Sequence, residues 1–296
     1  MLDFLAHIES ANNARLDDYA PFVIDGCAVG LIHHTNVVRL NEQGLALDVQ
    51  ENAYHWDYDG DCQTRSAYLN DIILSLATEG FVPGWRGEQY ALSRDFYAPP
   101  KALIERASMP IFGACGYGVH VNGLTKKQGK THLWIAKRAD DKPTDPGKLD
   151  QIAAGGIPHG IDVFANMQKE CDEEASIPLS LSETATAVSM SSYFYAVENG
   201  IRADQLFNYD LWLPESFIPH NQDGEVASFD CLPLEEVMEL VSRTDQFKFN
   251  ANIVLIDLFI RHGLITPEHQ QYEQICAQLN HREAILCARF PVFTKK

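Results

Sequence analysis

This sequence predicts an α/β fold, a mixed sheet sandwiched between helices over residues 109–296, preceded by a small α+β domain over residues 1–108. Three observations carry that expectation. The chain has 296 residues, more than one compact core usually needs, so two domains are the default. From Tyr117 onward the pattern runs strand, strand, loop, helix, then strands and helices again, with apolar residues switching between alternate and every-fourth spacing. Between the two parts, Ala98, Pro99 and Pro100 break the periodicity and begin a linker region.

The first element is an amphipathic helix over Leu2 to Arg15, with Leu2, Leu5, Ile8 and Ala11 on one side. Phe22 to Ile32 is rich in apolar and β-branched residues and reads as a strand punctuated by glycine. His33 and His34 follow it. Adjacent strand residues point to opposite faces, so the pair makes a poor joint metal site and reads as structural or surface. Glu51 to Asp61 mixes aromatics, acids and glycine and receives no assignment. Thr64 to Glu79 is a helix stopped by Gly80. Gly84 to Leu92 is a strand in which Trp85 and Tyr90 serve either as core aromatics or as faces for a flat ring.

In the second part, Met109 to Gly113 leads into a strand over Tyr117 to Leu124. The preceding GACGYG is glycine-rich but enters a strand, not a helix, so it fails as a dinucleotide fingerprint. Thr131 to Lys137 is the next strand, joined through a loop around Lys126 to Lys130. Arg138 to Leu149 is a loop bearing proline and glycine; Arg138 and Lys142 are either phosphate clamps or ordinary loop cations. A turn at Gly155-Gly156 and another at Pro158-His159-Gly160 then lead to Asp162, an N-cap for a helix over Val163 to Ala175. Val163, Met167 and Cys171 form its apolar stripe, and Glu170, Glu173 and Glu174 share one face. Crowded carboxylates repel one another, and either solvent or a hard divalent cation holds them. Ser189 to Val197 and Leu206 to Leu213 are strands around a turn at Asn199-Gly200, and Glu225 to Asp230 is a short strand after Asp223-Gly224. Helices follow from Pro233 to Val241, from Asn250 to His262, and from Pro267, capped by Thr266.

The stretch from Gly155 to Ile177 resembles the Nudix box: a glycine, a glutamate, Arg-Glu, an apolar residue, two glutamates, a glycine and an apolar residue. Gly155, Glu170, Cys171, Glu173, Glu174 and Ile177 match, while Ile161, Lys169 and Ser176 stand where glutamate, arginine and glycine are expected. The resemblance implies a Nudix-type α/β/α sandwich and hydrolysis of a diphosphate bond. It implies Mg²⁺, with Mn²⁺ as a substitute, on Glu170, Glu173, Glu174 and the Gly155 carbonyl. Either Glu170 or Glu225 is the base, and Glu225, before Glu215, is the extra carboxylate that such folds supply. Residues 65–66, Gly84-Trp85-Arg86, Glu88 and Tyr90, with Arg138, Lys142 and Asp150 ahead of the glycine pair, are similar to the thiamine-pyrophosphokinase-related subgroup with an additional N-terminal domain. That likeness implies thiamine diphosphate, or its oxidised and damaged analogues, as substrate, with ring walls from Trp85, Tyr90, Trp134 or Tyr209.

Three alternatives stand beside it: an ADP-ribose-like pyrophosphatase, a non-catalytic nucleotide-sensing module, and an isopentenyl diphosphate isomerase. The last uses a cysteine just after the loop, and Leu149 to Gly156 contains none. A formal charge of -18 argues against nucleic acid as partner but not against a small phosphorylated metabolite, because a local metal overrides the net field. The cysteines at 27, 62, 115, 171, 231, 276 and 287 are scattered and odd in number, as expected of thiols in a reducing cytoplasm. Asp3 and Glu9 argue against a signal peptide, and the apolar run from Ile253 to Ile260 is too short to span a bilayer, so no membrane partner is expected. A homodimer stays open.

Overall fold

Asp25 and Gly26 both take positive φ, 48° and 69°, and this turn folds the first apolar run back on itself. The computed structural model, which describes residues 3–142 and 144–294, therefore has two strands where glycine-punctuated continuity suggested one. Leu2 of the predicted first helix and Pro143 of the loop after Arg138 lie outside the described residues. Helix α1 (Leu5–Ala11) precedes the antiparallel pair β1 (Tyr19–Ile24) and β2 (Cys27–His33). After α2 (Asn36–Glu42), β3 (Asp48–Gln50) and β4 (Ala53–Trp56) complete a four-stranded sheet of order β2-β1-β4-β3. Asp61 caps α3 (Cys62–Thr78) by accepting from the Thr64 amide at 2.8 Å.

Strands β5 (Gln89–Leu92) and β6 (Ala102–Glu105) pair antiparallel. Ala98, Pro99 and Pro100 sit in the loop of this hairpin and not in a linker. Proline has no amide hydrogen to lend a ladder, and a hairpin loop asks for none. The core that begins at Ala20 and Phe22 continues through α4 (Met109–Phe112), taking in Met109, Ile111, Phe112 and Ala114.

The remaining strands are β7 (Tyr117–Lys127), β8 (Lys130–Arg138), β9 (Leu149–Gln151), β10 (Ala153–Gly156), β11 (Thr186–Ser192), β12 (Tyr195–Val197), β13 (Gly200–Arg202), β14 (Gln205–Trp212) and β15 (Val226–Pro233). The helices are α5 (Val163–Ala175), α6 (Leu179–Ser182), α7 (Leu234–Arg243), α8 (Phe249–Arg261), α9 (Tyr272–Gln278) and α10 (Arg282–Arg289). Seven strands make one mixed sheet of order β11-β14-β7-β8-β15, with β10 on β7 and β9 on β8; β14 runs parallel to β7 and the other pairs are antiparallel. Side chains of β8 alternate between two cores. Trp134 packs with Met167 and Cys171 of α5, while Leu133 and Ile135 pack with Val254 and Phe259 of α8. This is the predicted helix–sheet–helix sandwich.

The chain ends cross between the two halves. Phe4 and Ile8 pack against the α8 core, and Leu286 and Phe293 pack against Tyr19, Val23 and Leu31. The helix expected from Pro267 is replaced by turns, and α9 starts at Tyr272. Thr266 directs its hydroxyl to the Glu268 carboxylate and so is not a cap for backbone amides.

Candidate active site

Asp162 accepts from the amides of Phe164 and Ala165, at 2.9 and 3.1 Å, and starts α5 as its sequence position implied. At the other end Ser176 takes the left-handed conformation, φ 51°, with its amide on the Asp172 carbonyl and that of Ile177 on the Cys171 carbonyl. Glycine is the usual residue there. Serine is held by its hydroxyl, which donates to the His220 carbonyl at 2.6 Å. With Val163, Met167 and Cys171 buried against the sheet, the remaining geometry of α5 turns Glu170 and Glu174 toward β10.

The two glycines of β10 have different jobs. A Cβ on Gly155 would lie 2.1 Å from the Glu170 carboxyl carbon, so the bare backbone is what admits that carboxylate. A Cβ on Gly156 would meet the Tyr90 hydroxyl at 2.3 Å and Arg106 Nη2 at 2.9 Å. Asn166 donates to the Gly156 carbonyl at 3.3 Å, and Glu174 accepts from the Ala154 amide at 2.8 Å.

Glu174 is buried, and this burial, reinforced by the charges of Glu170, Asp150 and Glu225, holds its carboxyl well above the ordinary range. Burial also raises Glu170, against the pull of Lys169. Lys169 lies 2.6 Å from Glu173 and 3.4 Å from Glu170 and fastens both. Burial pulls Glu225 upward too, but its bond to Lys142, with the charges of Arg138 and Arg86, brings it below the ordinary value. Among the described residues no three acidic, histidine or cysteine side chains stand at metal-coordinating spacing. The donor chemistry nevertheless fits a hard divalent cation. The carboxylates are crowded: the charge of Glu170 helps raise Glu174, those of Glu173 and Glu225 help raise Glu170, and no cation pairs with Glu174 among the described residues.

These carboxylates line a cavity of about 750 Å³. Arg138, Lys142 and Glu225 face it from one side, and Gly84, Arg86, Glu88, Tyr90 and Arg106 from the N-terminal part. Of the ring walls expected from sequence, Tyr90 alone lines it. Trp134 and Tyr209 are buried in the core beneath α5, on the strand face turned away from the cavity, and Trp85 stands 46% exposed over Asn70 and Leu74. Glu215 is exposed in the turn after β14 and does not line the cavity. Arg138 spends Nε on the Asp145 carbonyl, Nη2 on the Thr144 carbonyl and Nη1 on Asp150, at 3.1, 2.8 and 3.3 Å, so it ties its own loop to β9. Lys142 is taken by Glu225.

Arg106, His120, Lys248 and Asn250 line the cavity without any sequence motif to mark them. His120 binds Gln151 through Nδ1 at 2.6 Å and lies 4.0 Å from Asp150, which also pairs with Arg138 and Lys248. Burial, aided by the charges of Lys248 and Arg138 and opposed by Asp150, pushes His120 down to about 4. A depressed histidine stabilises the fold above its unfolded value of 6.5 and loses that contribution as pH falls toward about 4, because the unfolded chain alone takes the proton. Urea unfolding measured from pH 7 to pH 4 should show a loss approaching ~1.4 kcal/mol per pH unit from this group, and His120→Gln should remove it. An acid limb unchanged by that substitution would show that His120 is not its source.

Residues 3–115 match a family model described as a domain of unknown function, DUF4743. Over 279 residues the chain is 39% identical to Nudix hydrolase 20, chloroplastic, of Arabidopsis thaliana, covering 91% of this chain and 75% of that protein. Over 283 residues it is 39% identical to Nudix hydrolase 24, chloroplastic, of the same plant, covering 94% and 78%. Among solved structures, a C. elegans Ap4A hydrolase aligns with a TM-score of 0.39 at 14% identity, over 51% of this chain and 99% of that one.

Proposed function

The chain belongs to the Nudix hydrolases, and on that premise we propose that it cleaves the diphosphate of thiamine diphosphate, or of its oxidised and damaged analogues, with Mg²⁺, releasing the monophosphate. One observation carries the substrate reading. Gly84, Arg86, Glu88 and Tyr90, the residues similar to the thiamine-pyrophosphokinase-related subgroup, line the same cavity as the α5 glutamates. A ligand with a flat ring and a diphosphate spans such a wall, with its phosphates at Gly155 and its ring toward the N-terminal part.

Glu170, Glu173 and Glu174, with the Gly155 carbonyl, would hold the ion. When bound, Mg²⁺ supplies charge neutralisation and Lewis acidity to the diphosphate, and Mn²⁺ substitutes for it. Glu170 receives the proton of the attacking water at Oε2, the oxygen that Lys169 does not engage, because burial makes it the stronger base, whereas Lys142 weakens Glu225. Lys169 keeps Glu173 and Glu170 from rotating away. Asn166 and the Ala154 amide hold Gly156 and Glu174.

The test is kcat/KM with Mg²⁺ for oxythiamine diphosphate, thiamine diphosphate and ADP-ribose. Either thiamine ester is expected to be the best of the three. Turnover of ADP-ribose more than about tenfold better, ~1.4 kcal/mol of transition-state binding, replaces this reading with a nucleoside-diphosphate one.

A further inference from the structure

Resting on the reading of the site as a diphosphate hydrolase, we propose that Arg106, with the Tyr90 hydroxyl beside it, is an anion-binding group of this cavity, delivered to Gly156 by the N-terminal part of the chain. Arg138 and Lys142, the loop cations, have their nitrogens engaged by the protein itself. Arg106 does not. Its one side-chain hydrogen bond among the described residues runs from Nη1 to Glu88 at 2.9 Å, which leaves Nε and Nη2 as unspent donors. Nη2 is the atom that stands over Gly156, next to the residue that admits Glu170. A guanidinium with a free edge matches two phosphate oxygens at once, which a lysine cannot do.

Tyr90 adds an independent observation. Its ring is 5% exposed, and its hydroxyl is buried in the cavity wall with no hydrogen-bond partner. A buried hydroxyl left without a partner is costly, and a phosphate oxygen at Gly156 removes the cost. The Arg106 guanidinium lies 5.6 Å from the centre of the Tyr90 ring, within cation–π range, so the two groups stand side by side at Gly156. Both feel the Glu170 carboxylate.

The unit is held rigidly where it is needed. Glu105 accepts from the amides of Arg86 and Gly87 at 2.8 and 3.0 Å, and the Arg106 amide donates to the Glu88 carbonyl at 2.9 Å. The His159 amide donates to the Gln89 carbonyl at 2.8 Å, which bonds β5 directly to the turn ahead of α5. The N-terminal part therefore meets the acidic helix at a fixed place, as preorganised binding requires.

Binding of inorganic pyrophosphate to the full chain, measured by titration calorimetry in EDTA, tests this. Arg106→Ala should weaken affinity at least about tenfold, Arg106→Lys should recover part of it, and Tyr90→Phe should weaken it about threefold. Glu88→Gln should bind as tightly as the native chain or tighter, because it releases the guanidinium. Arg106→Gln, which can still bond Glu88, gives the same reading should the alanine variant fail to fold. Native affinity in the Arg106 variants, an equal loss in Glu88→Gln, or no pyrophosphate binding by the native chain overturns the proposal. Failure of the hydrolase reading has a different signature: no turnover of thiamine diphosphate, oxythiamine diphosphate or ADP-ribose by the native chain with Mg²⁺, whatever its affinity for pyrophosphate.

Discussion

Replacing Glu174 with glutamine is expected to lower kcat by about a hundredfold or more while leaving the melting temperature unchanged or raised. A hundredfold corresponds to ~2.7 kcal/mol of transition-state stabilisation, within the range that one charged metal ligand supplies. The effect on stability has the opposite sign for a physical reason. The carboxylate is buried, repelled by Glu170, Asp150 and Glu225, and paired with no cation among the described residues. Its one recorded bond, from the Ala154 amide, can be accepted equally by a glutamine oxygen. The substitution thus removes an uncompensated buried charge and keeps the hydrogen bond. Glu173→Gln should cost activity in the same range, with less change in stability, because Glu173 is only half-buried and is held by Lys169. Thermal unfolding and steady-state kinetics with Mg²⁺ check both. Full turnover in Glu174→Gln would remove α5 from the chemistry, and a large fall in melting temperature would mean that the glutamate is structural.

Replacing Gly155 with alanine is expected to cost about a hundredfold in kcat at little cost in stability. The added methyl would occupy space 2.1 Å from the Glu170 carboxyl carbon and 2.4 Å from both of its oxygens. What yields is the far end of a flexible side chain, so the fold adjusts cheaply. The reaction does not, since displacing a reacting group by an ångström typically costs ~10²-fold. Gly155 carries no positive φ, so alanine brings no backbone strain to confuse the result. If kcat stays within about tenfold of native, the contact between Glu170 and Gly155 is not part of the working site.

The acidic helix could be read without coordinates because its determinants are local. The cap at Asp162, the apolar stripe and the placing of three glutamates on one face all follow from helical spacing over a few turns. The Gly155-Gly156 pair was visible as well, but as a turn; both glycines lie in β10, paired with Val119 and Gly118 of β7, because a glycine pair marks a close approach to a strand as readily as it marks a turn. Local rules also misled. Ala98-Pro99-Pro100 breaks a pattern equally well in a hairpin loop and in a linker, and composition does not distinguish them. Alternation marked Trp134 and Tyr209 as strand residues, but which face of the sheet meets α5 is a property of the assembled layers.

The sequence by itself determined that this chain carries a Nudix-like carboxylate helix behind a glycine pair, on a mixed α/β sandwich. Only the tertiary structure decided what those glycines are for, that Arg138 and Lys142 are engaged by their own surroundings, and that Tyr90 and Arg106 complete the wall opposite Glu170. The reason lies in what each kind of information constrains. Helical periodicity and capping depend on neighbours in sequence. Which donors remain free, and which distant segment reaches Gly156, depends on how β5 and β6 dock against the turn before α5. That docking runs through backbone hydrogen bonds such as His159 to Gln89, which any pair of residues could make.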